Sequence, residues 1–356
     1  MNRIHNFSAG PAALPWPVRE RVAEEFGLDD DHSPSVAEIS HRGPRFAGVA
    51  ERLEAGIREL AGLGDDHAVL LLQGGAHLQF AMLPMNLARD RTAAYVLTGH
   101  WGEKAFAESA RITESRVVAS SADEDYRDLP EIGHLPANAA YLHYTGNETI
   151  HGVQYDQPPA AGVPLAADLS SEFLSRPYPY SDLGLAYAGA QKNLGVAGLT
   201  VVLIRRDLLE RIPDDLPACL DYRSWARSDS MMNTPCTFAW YVAGLACDWI
   251  RSEGGLDGIG RRNRAKADSL YEFIDASAFY SNPLALDARS MMNVPFILAA
   301  DDQTMRFVQQ AEAAGMPGLK GHRAVGGLRA SLYNALDEAA VGTLVDFMRE
   351  FERTQG

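Results

Sequence analysis

In the stretch LGLAYAGAQKNLGVAGLTVVLIRR, Leu183–Arg206, one lysine stands between two strand-like apolar runs. The residues before Lys192 are almost all small or apolar. Asn193, Gly195 and Gly198 follow it, and a β-branched run then ends in Arg205 and Arg206. Lysine is rarely buried without a partner. On so apolar a turn its ammonium is expected to have a depressed pKa, the property that a lysine condensing with carbonyl groups needs. Taken alone, the same pattern also suits a lysine that lays its stem along apolar surface with its head in water.

Working outward, apolar runs recur at roughly 20–25-residue intervals, as in a parallel α/β sheet. HAVLLLQGGAHLQFAMLPMNL reads as a buried strand (68–72), a turn at Gly74-Gly75-Ala76, and an apolar helix. That order presents free backbone N–H groups at a helix N-terminus and suits a single phosphate. It lacks the Lys-Ser/Thr of a Walker loop and is not GxGxxG. Further strands are expected at 92–98, 116–120, 139–145, 163–170, 183–190 and 198–206. Three of these end in residues with chemistry: one in Gly99, His100 and Trp101, one in Asn147 and Thr149, one in Asp168, Ser170 and Ser171. Open α/β sheets bind ligands at the carboxyl ends of their strands.

The chain divides into an N-terminal arm (1–15), a large α/β domain (16–252) and a smaller α+β domain (253–356). The arm is punctuated by Gly10, Pro11 and Pro15. A helix is expected over 17–27, an acidic loop over 29–34, and a helix over 46–63. In ISHRGPRF, His41 and Arg42 precede a Gly-Pro turn and so lie on a loop. Residues 208–233 are irregular, and a helix at 238–251 follows. The smaller domain is expected to hold helices at 259–274 and 304–314, strands at 294–298 and 328–333, and a C-terminal amphipathic helix.

With 46% hydrophobic and 22% charged residues, the composition is that of a globular protein. A net charge of −15 argues against nucleic acid or anionic membrane as a partner. Cys219, Cys236 and Cys247 form no CxxC pair, so neither a disulfide framework nor a zinc site is expected. No HxxxH or HExxH spacing points to a metal. No GxSxG elbow surrounds Ser170-Ser171, which argues against a serine hydrolase. With no signal pattern or membrane-length apolar run, the expected compartment is the cytoplasm.

These residues together would serve pyridoxal 5'-phosphate. That cofactor needs a lysine to hold its aldehyde, a carboxylate to keep its ring nitrogen protonated, an aromatic face, and a helix terminus for its phosphate. Lys192, Asp168, Trp101 and the Gly74–His77 turn supply these from successive strand ends. Singly, each has an ordinary alternative: Asp168 as a helix cap, Trp101 as a core aromatic, Thr149 as a turn residue. His41, Arg42, His322, Arg323 and Arg329 add donors suited to a substrate with a carboxylate and a second anionic group.

The chain closely resembles the phosphoserine aminotransferases, a family of fold-type-I, class-V pyridoxal phosphate enzymes. The resemblance runs from residue 6 to residue 335 through NFSAGPAALP, ISHRG, LLQGGAHLQFAMLPMNL, YTGNETIHGVQ, ADLSSEFLSRP, YAGAQKNLGVAGLT, SMMNTPCTFAWY and GHRAVGGLRASLYNA. It implies Lys192 as the Schiff-base lysine and proton shuttle, Trp101 on the ring, Asp168 at the ring nitrogen and Thr149 near the ring hydroxyl. Ala76, His77 and Gln191 would surround the phosphate. Asn233 and Thr234 would reach the neighbouring subunit's cofactor, so a homodimer with shared active sites is implied. Arg329 would clamp the α-carboxylate, and His41, Arg42, His322 and Arg323 would form the pocket for the second anionic group. The implied reaction moves the amino group of glutamate to 3-phosphohydroxypyruvate, giving O-phosphoserine and 2-oxoglutarate for serine biosynthesis. 4-Phosphohydroxy-L-threonine, from pyridoxine biosynthesis, is a further implied substrate.

Two positions depart from the family pattern. His77 stands where relatives carry arginine or serine, and a histidine is a pH-dependent cation where arginine is a fixed one. Ala9 stands where some relatives have a serine. Other type-I activities remain as alternatives: a cysteine desulfurase, a β-lyase, an alanine–glyoxylate-type aminotransferase or a non-catalytic cofactor-binding regulator. None of the cysteines lies on a Gly-rich loop, and an uncharged substrate would not need two His-Arg pairs.

Overall fold

The computed structural model describes residues 4–26, 33–299 and 301–355. The acidic loop expected at 29–34 lies mostly outside these residues. In chain order the strands are β1 (His67–Leu72), β2 (Thr92–Leu97), β3 (Ser115–Ser120), β4 (Ala139–Thr145), β5 (Leu165–Asp168), β6 (Leu185–Gly189), β7 (Thr200–Arg205), β8 (Tyr280–Ser281), β9 (Asn293–Leu298) and β10 (Leu328–Ser331). The helices are α1 (Trp16–Glu25), α2 (Pro44–Ala61), α3 (Gly75–Leu87), α4 (His100–Ser109), α5 (Arg206–Leu209), α6 (Tyr222–Arg227), α7 (Thr237–Ser252), α8 (Gly255–Ala276), α9 (Thr304–Ala313) and α10 (Glu338–Gln355).

β1 to β7 form a seven-stranded sheet in the order β1-β7-β6-β5-β4-β2-β3. Residues in β1, β2, β4 and β6 are buried without alternation, as expected for strands covered on both faces. One cover contains α2 and α7, with Phe46, Leu53, Ile57, Trp240 and Ile250 fully buried; the other contains α3 and α4 with Phe80, Leu83 and Ala105. Strands β3, β2, β4, β5 and β6 run parallel, whereas β7 is antiparallel to both β6 and β1. The expectation of a parallel sheet therefore holds for most of it and fails at β7. The reason is the short β6–β7 connection. Residues 190–199 contain only the turn that carries Lys192, which leaves no crossover helix to bring the chain back parallel.

The second sheet, β10-β9-β8, is antiparallel and packs under α8, α9 and α10 in a separate core around Phe296, Phe307, Leu344 and Met348. The N-terminal arm joins the two cores. Phe7 is buried in the second, where its carbonyl accepts from Ser331 N–H at 3.2 Å and its N–H donates to Pro317. Farther along, Ala12 N–H donates to the Gln191 carbonyl at 2.9 Å, tying the arm to the Lys192 turn. No helix among the described residues is long and apolar enough to cross a membrane.

Candidate active site

The segments that follow β1, β2, β4 and β6 line a cavity of about 620 Å³, floored by Lys192, Thr149 and Trp101 and bounded by Arg329 and His322. Lys192 Nζ donates to Thr149 Oγ1 at 2.6 Å and lies 6.0 Å from the centre of the Trp101 ring. Burial pushes the ammonium down to about 8, against the pull of Asp168 and Glu148, while Arg329 adds to the depression. At neutral pH an appreciable share of the amine is therefore unprotonated and able to act as a nucleophile. Gly10, on the arm, faces the lysine stem; a Cβ there would stand 3.4 Å from Lys192 Cγ.

Asp168 ends β5 and is buried. Burial raises its carboxyl, while the N–H of Ser170, donating at 2.9 Å, and the charge of Lys192 work the other way. A cation brought against this carboxylate would offset the cost of burying it. Trp101 lies in the first turn of α4 with its indole Nε1 buried and unpartnered. At the start of α3, Gly74 (φ +96°) and Gly75 (φ +69°) take left-handed conformations, and no side chain caps the helix. A Cβ on Gly74 would lie 2.6 Å from Leu78, so only glycine fits this turn. The uncapped N–H groups are suited to a phosphate. Buried acid, amine, aromatic face and uncapped helix end fit pyridoxal phosphate.

Arg329, on β10, reaches in from the second core. Its side chain is largely buried, Nη1 donates to the Thr149 carbonyl at 3.2 Å, and Nε has no protein partner. His322 lines the same cavity, its ring 5.5 Å from that of His100. Burial, then the charges of Arg329 and Arg323, hold His322 below its ordinary value. Arg323 is exposed beside it.

The remaining residues singled out from the sequence are more scattered. Gln191 lines the cavity and Ala76 sits in the first turn of α3. His77 is exposed, with its ring edge-on to Trp101 at 5.5 Å. Asn233 and Thr234 are exposed, with the Thr234 carbonyl accepting from Gln73 Nε2 at 3.2 Å. His41 and Arg42 lie on the loop before α2, and neither lines this chain's own cavity.

Sequence reasoning missed Glu148, His151 and Asn193. Asn193 adjoins the lysine, and its Oδ1 accepts from Asn334 N–H at 3.0 Å, pinning the lysine turn to the segment after β10. Glu148 is fully buried beside Thr149. The only sequence signal was their place inside GNETIHG and QKN, next to residues already singled out.

The class-V aminotransferase model matches residues 4–344, and the chain belongs to that family of pyridoxal phosphate-dependent transaminases. Within the class its similarity is to phosphoserine aminotransferases. The enzyme of that name from Azotobacter vinelandii is 49% identical over 358 residues, covering 99% of each chain. The phosphoserine aminotransferase structure from Bacillus circulans subsp. alkalophilus superposes with a TM-score of 0.96 at 45% identity, covering 99% of each chain. A pyridoxal phosphate-bound phosphoserine aminotransferase from Trichomonas vaginalis gives a TM-score of 0.92 at 38% identity, covering 98% of this chain and 100% of that one.

Proposed function

We propose that this chain transfers the amino group of L-glutamate to 3-phosphohydroxypyruvate, giving O-phospho-L-serine and 2-oxoglutarate, in cytoplasmic serine biosynthesis. The observation that carries the reading is the single cavity shared by Lys192 and Arg329. A depressed amine and a buried guanidinium with an unpartnered Nε line the same space, one suited to carbonyl chemistry and the other to a carboxylate.

When bound, pyridoxal phosphate supplies an electron sink that acidifies the substrate Cα–H. Asp168 would hold a proton at the ring nitrogen, Trp101 would supply the aromatic face for the ring, and Thr149 would serve the ring hydroxyl. The N–H groups at the start of α3, with Ala76, His77 and Gln191, take the phosphate. Lys192 Nζ accepts the proton from substrate Cα and returns it. Arg329 orients the α-carboxylate of both amino donors. His322, held below its ordinary value and so neutral at pH 7, offers an N–H to the second anionic group, and Arg323 offers charge. One basic pocket then serves both the glutamate γ-carboxylate and the substrate phosphate. 4-Phosphohydroxy-L-threonine carries the same carboxylate, amine and phosphate and is the natural second substrate.

The active unit is a homodimer in which Asn233 and Thr234 of one subunit complete the phosphate site of the other. His41 and Arg42 then join the partner's substrate pocket. Their absence from the lining of their own chain's cavity supports this. Residues 16–252 form the cofactor-binding domain and 253–356 the smaller domain that contributes Arg329, with 1–15 as the arm; a separate core from Ala267 onward supports a second unit, while Ile259 at the start of α8 still packs with the first. The test is the absorption spectrum of the purified holoenzyme mixed separately with phosphoserine, glutamate and alanine. The bound cofactor's band should shift with the first two and not with alanine. A shift with alanine alone would move the function to a small-amino-acid transaminase.

A further inference from the structure

Helix α4 carries Trp101 in its first turn, yet it has no cap of its own, because the residue before it, Gly99, has no side chain. The acceptors come from a segment about fifty residues downstream. Glu148 takes the N–H of Gly102 on Oε1 at 2.8 Å and that of Trp101 on Oε2 at 3.3 Å. His151 Nδ1 faces the N–H of His100 at 3.4 Å. A Cβ on Gly99 would stand 2.7 Å from Glu148 Cδ and 2.6 Å from His151 Nδ1, so the bare glycine is what lets both side chains reach the helix end.

Between the two capping residues lies Thr149, whose hydroxyl accepts from Lys192 Nζ and whose carbonyl accepts from Arg329 Nη1. One short segment thus touches the helix that carries Trp101, the lysine and the arginine together. We propose that Glu148 and His151 are positioning residues that cap α4 from outside and thereby set the pose of Trp101 against Lys192. This rests on the reading of Trp101 as the support of the cofactor ring. Glu148 suits the task. It is fully buried, its two oxygens are aimed at backbone N–H groups, and burial raises its carboxyl to about 7 while those N–H groups counter the rise.

Two readouts test the proposal, the first without cofactor. In the apoenzyme, hydrogen–deuterium exchange of the peptide spanning 98–106 should rise about tenfold in Glu148→Ala, the loss of a cap releasing the first-turn amides. In the holoenzyme, the same variant should weaken pyridoxal phosphate binding several-fold and diminish the circular dichroism band of the bound cofactor. Glu148→Gln keeps one acceptor oxygen for the Gly102 N–H but turns an NH2 toward the Trp101 N–H, so both readouts should fall between wild type and Glu148→Ala. If Glu148→Ala does not fold, His151→Leu against Glu148→Gln carries the same comparison with a smaller change. Unchanged exchange in Glu148→Ala overturns the cap. Raised exchange with an unchanged cofactor band and affinity overturns the link to Trp101. A Gln variant indistinguishable from wild type would show that the second oxygen caps nothing and also overturns the two-point cap. The exchange result stands apart from any assay of amino transfer.

Discussion

Two lysines in this chain have their ammonium groups desolvated by their surroundings, and they are used in opposite ways. Lys192 stands at a strand end of the large sheet, Lys266 in the middle of α8 against the second core. Burial pushes the first down to about 8 and the second down to about 7. By that measure alone Lys266 would be the better nucleophile. Its Nζ, however, donates to the carbonyls of Leu332, Tyr333 and Leu336 at 2.8, 2.8 and 2.9 Å, and the residue is 1% exposed. Lys192 donates to Thr149 and faces a cavity. A depressed pKa makes a lysine available for chemistry only where space and free donors accompany it. Lys266 instead fixes the segment after Arg329, including Asn334, whose N–H holds Asn193 beside Lys192.

The contrast can be broken by substitution. Lys192→Ala should lower turnover by about three orders of magnitude or more, since it removes both nucleophile and proton carrier, and leave the melting temperature within a few degrees. Retained turnover would mean that the lysine is misassigned. Arg329→Ala should raise KM for glutamate and phosphoserine together, each by about tenfold or more, as expected for a lost charge-assisted carboxylate pair. An effect on only one substrate would contradict a shared clamp. Lys266→Met should behave in the reverse sense to Lys192→Ala. It should cost about 2–4 kcal/mol in urea unfolding by leaving three carbonyls without their donor, with kcat of the folded fraction changed little. Loss of kcat without loss of stability would make Lys266 a participant in the chemistry.

The two lysines also differ in what pH reveals. Because Lys266 binds its proton less tightly in the folded than in the unfolded chain, its contribution to stability rises with pH between about 7 and 10.5. Wild-type stability measured against Lys266→Met should rise over that window, and a flat difference would contradict the depression of its pKa by burial. Lys192 shows its depression through reactivity. In the apoenzyme its labelling by an amine reagent should have a midpoint near 8, the amine being neutral above it and protonated below.

Much of the floor of the site was legible in the sequence because strand ends and glycine turns leave local marks. Lys192, Asp168, Trp101 and the Gly74 turn each follow a short apolar run, and the fold delivers them to one place. The direction of β7 was not legible, since an apolar run looks the same either way and only the length of the connection decides it. Glu148 and Lys266 were invisible for a different reason. Both are residue types that ordinarily face water, and their burial depends on partners 46 to 70 positions away in the chain. His41 and Arg42 carry the right chemistry, yet no local pattern could say that they would not line this chain's own cavity.

The chain has four lysines, Lys104, Lys192, Lys266 and Lys320, which makes the central assignment directly measurable. Holoenzyme loaded with pyridoxal phosphate and treated with borohydride fixes the cofactor covalently to the lysine that holds it, and peptide mass mapping then reads the position. The mass of the reduced cofactor should fall on the peptide containing Lys192 and on no other. A label on the peptide containing Lys266, or spread over Lys104 and Lys320, would contradict the distinction between a lysine buried for chemistry and one buried for structure.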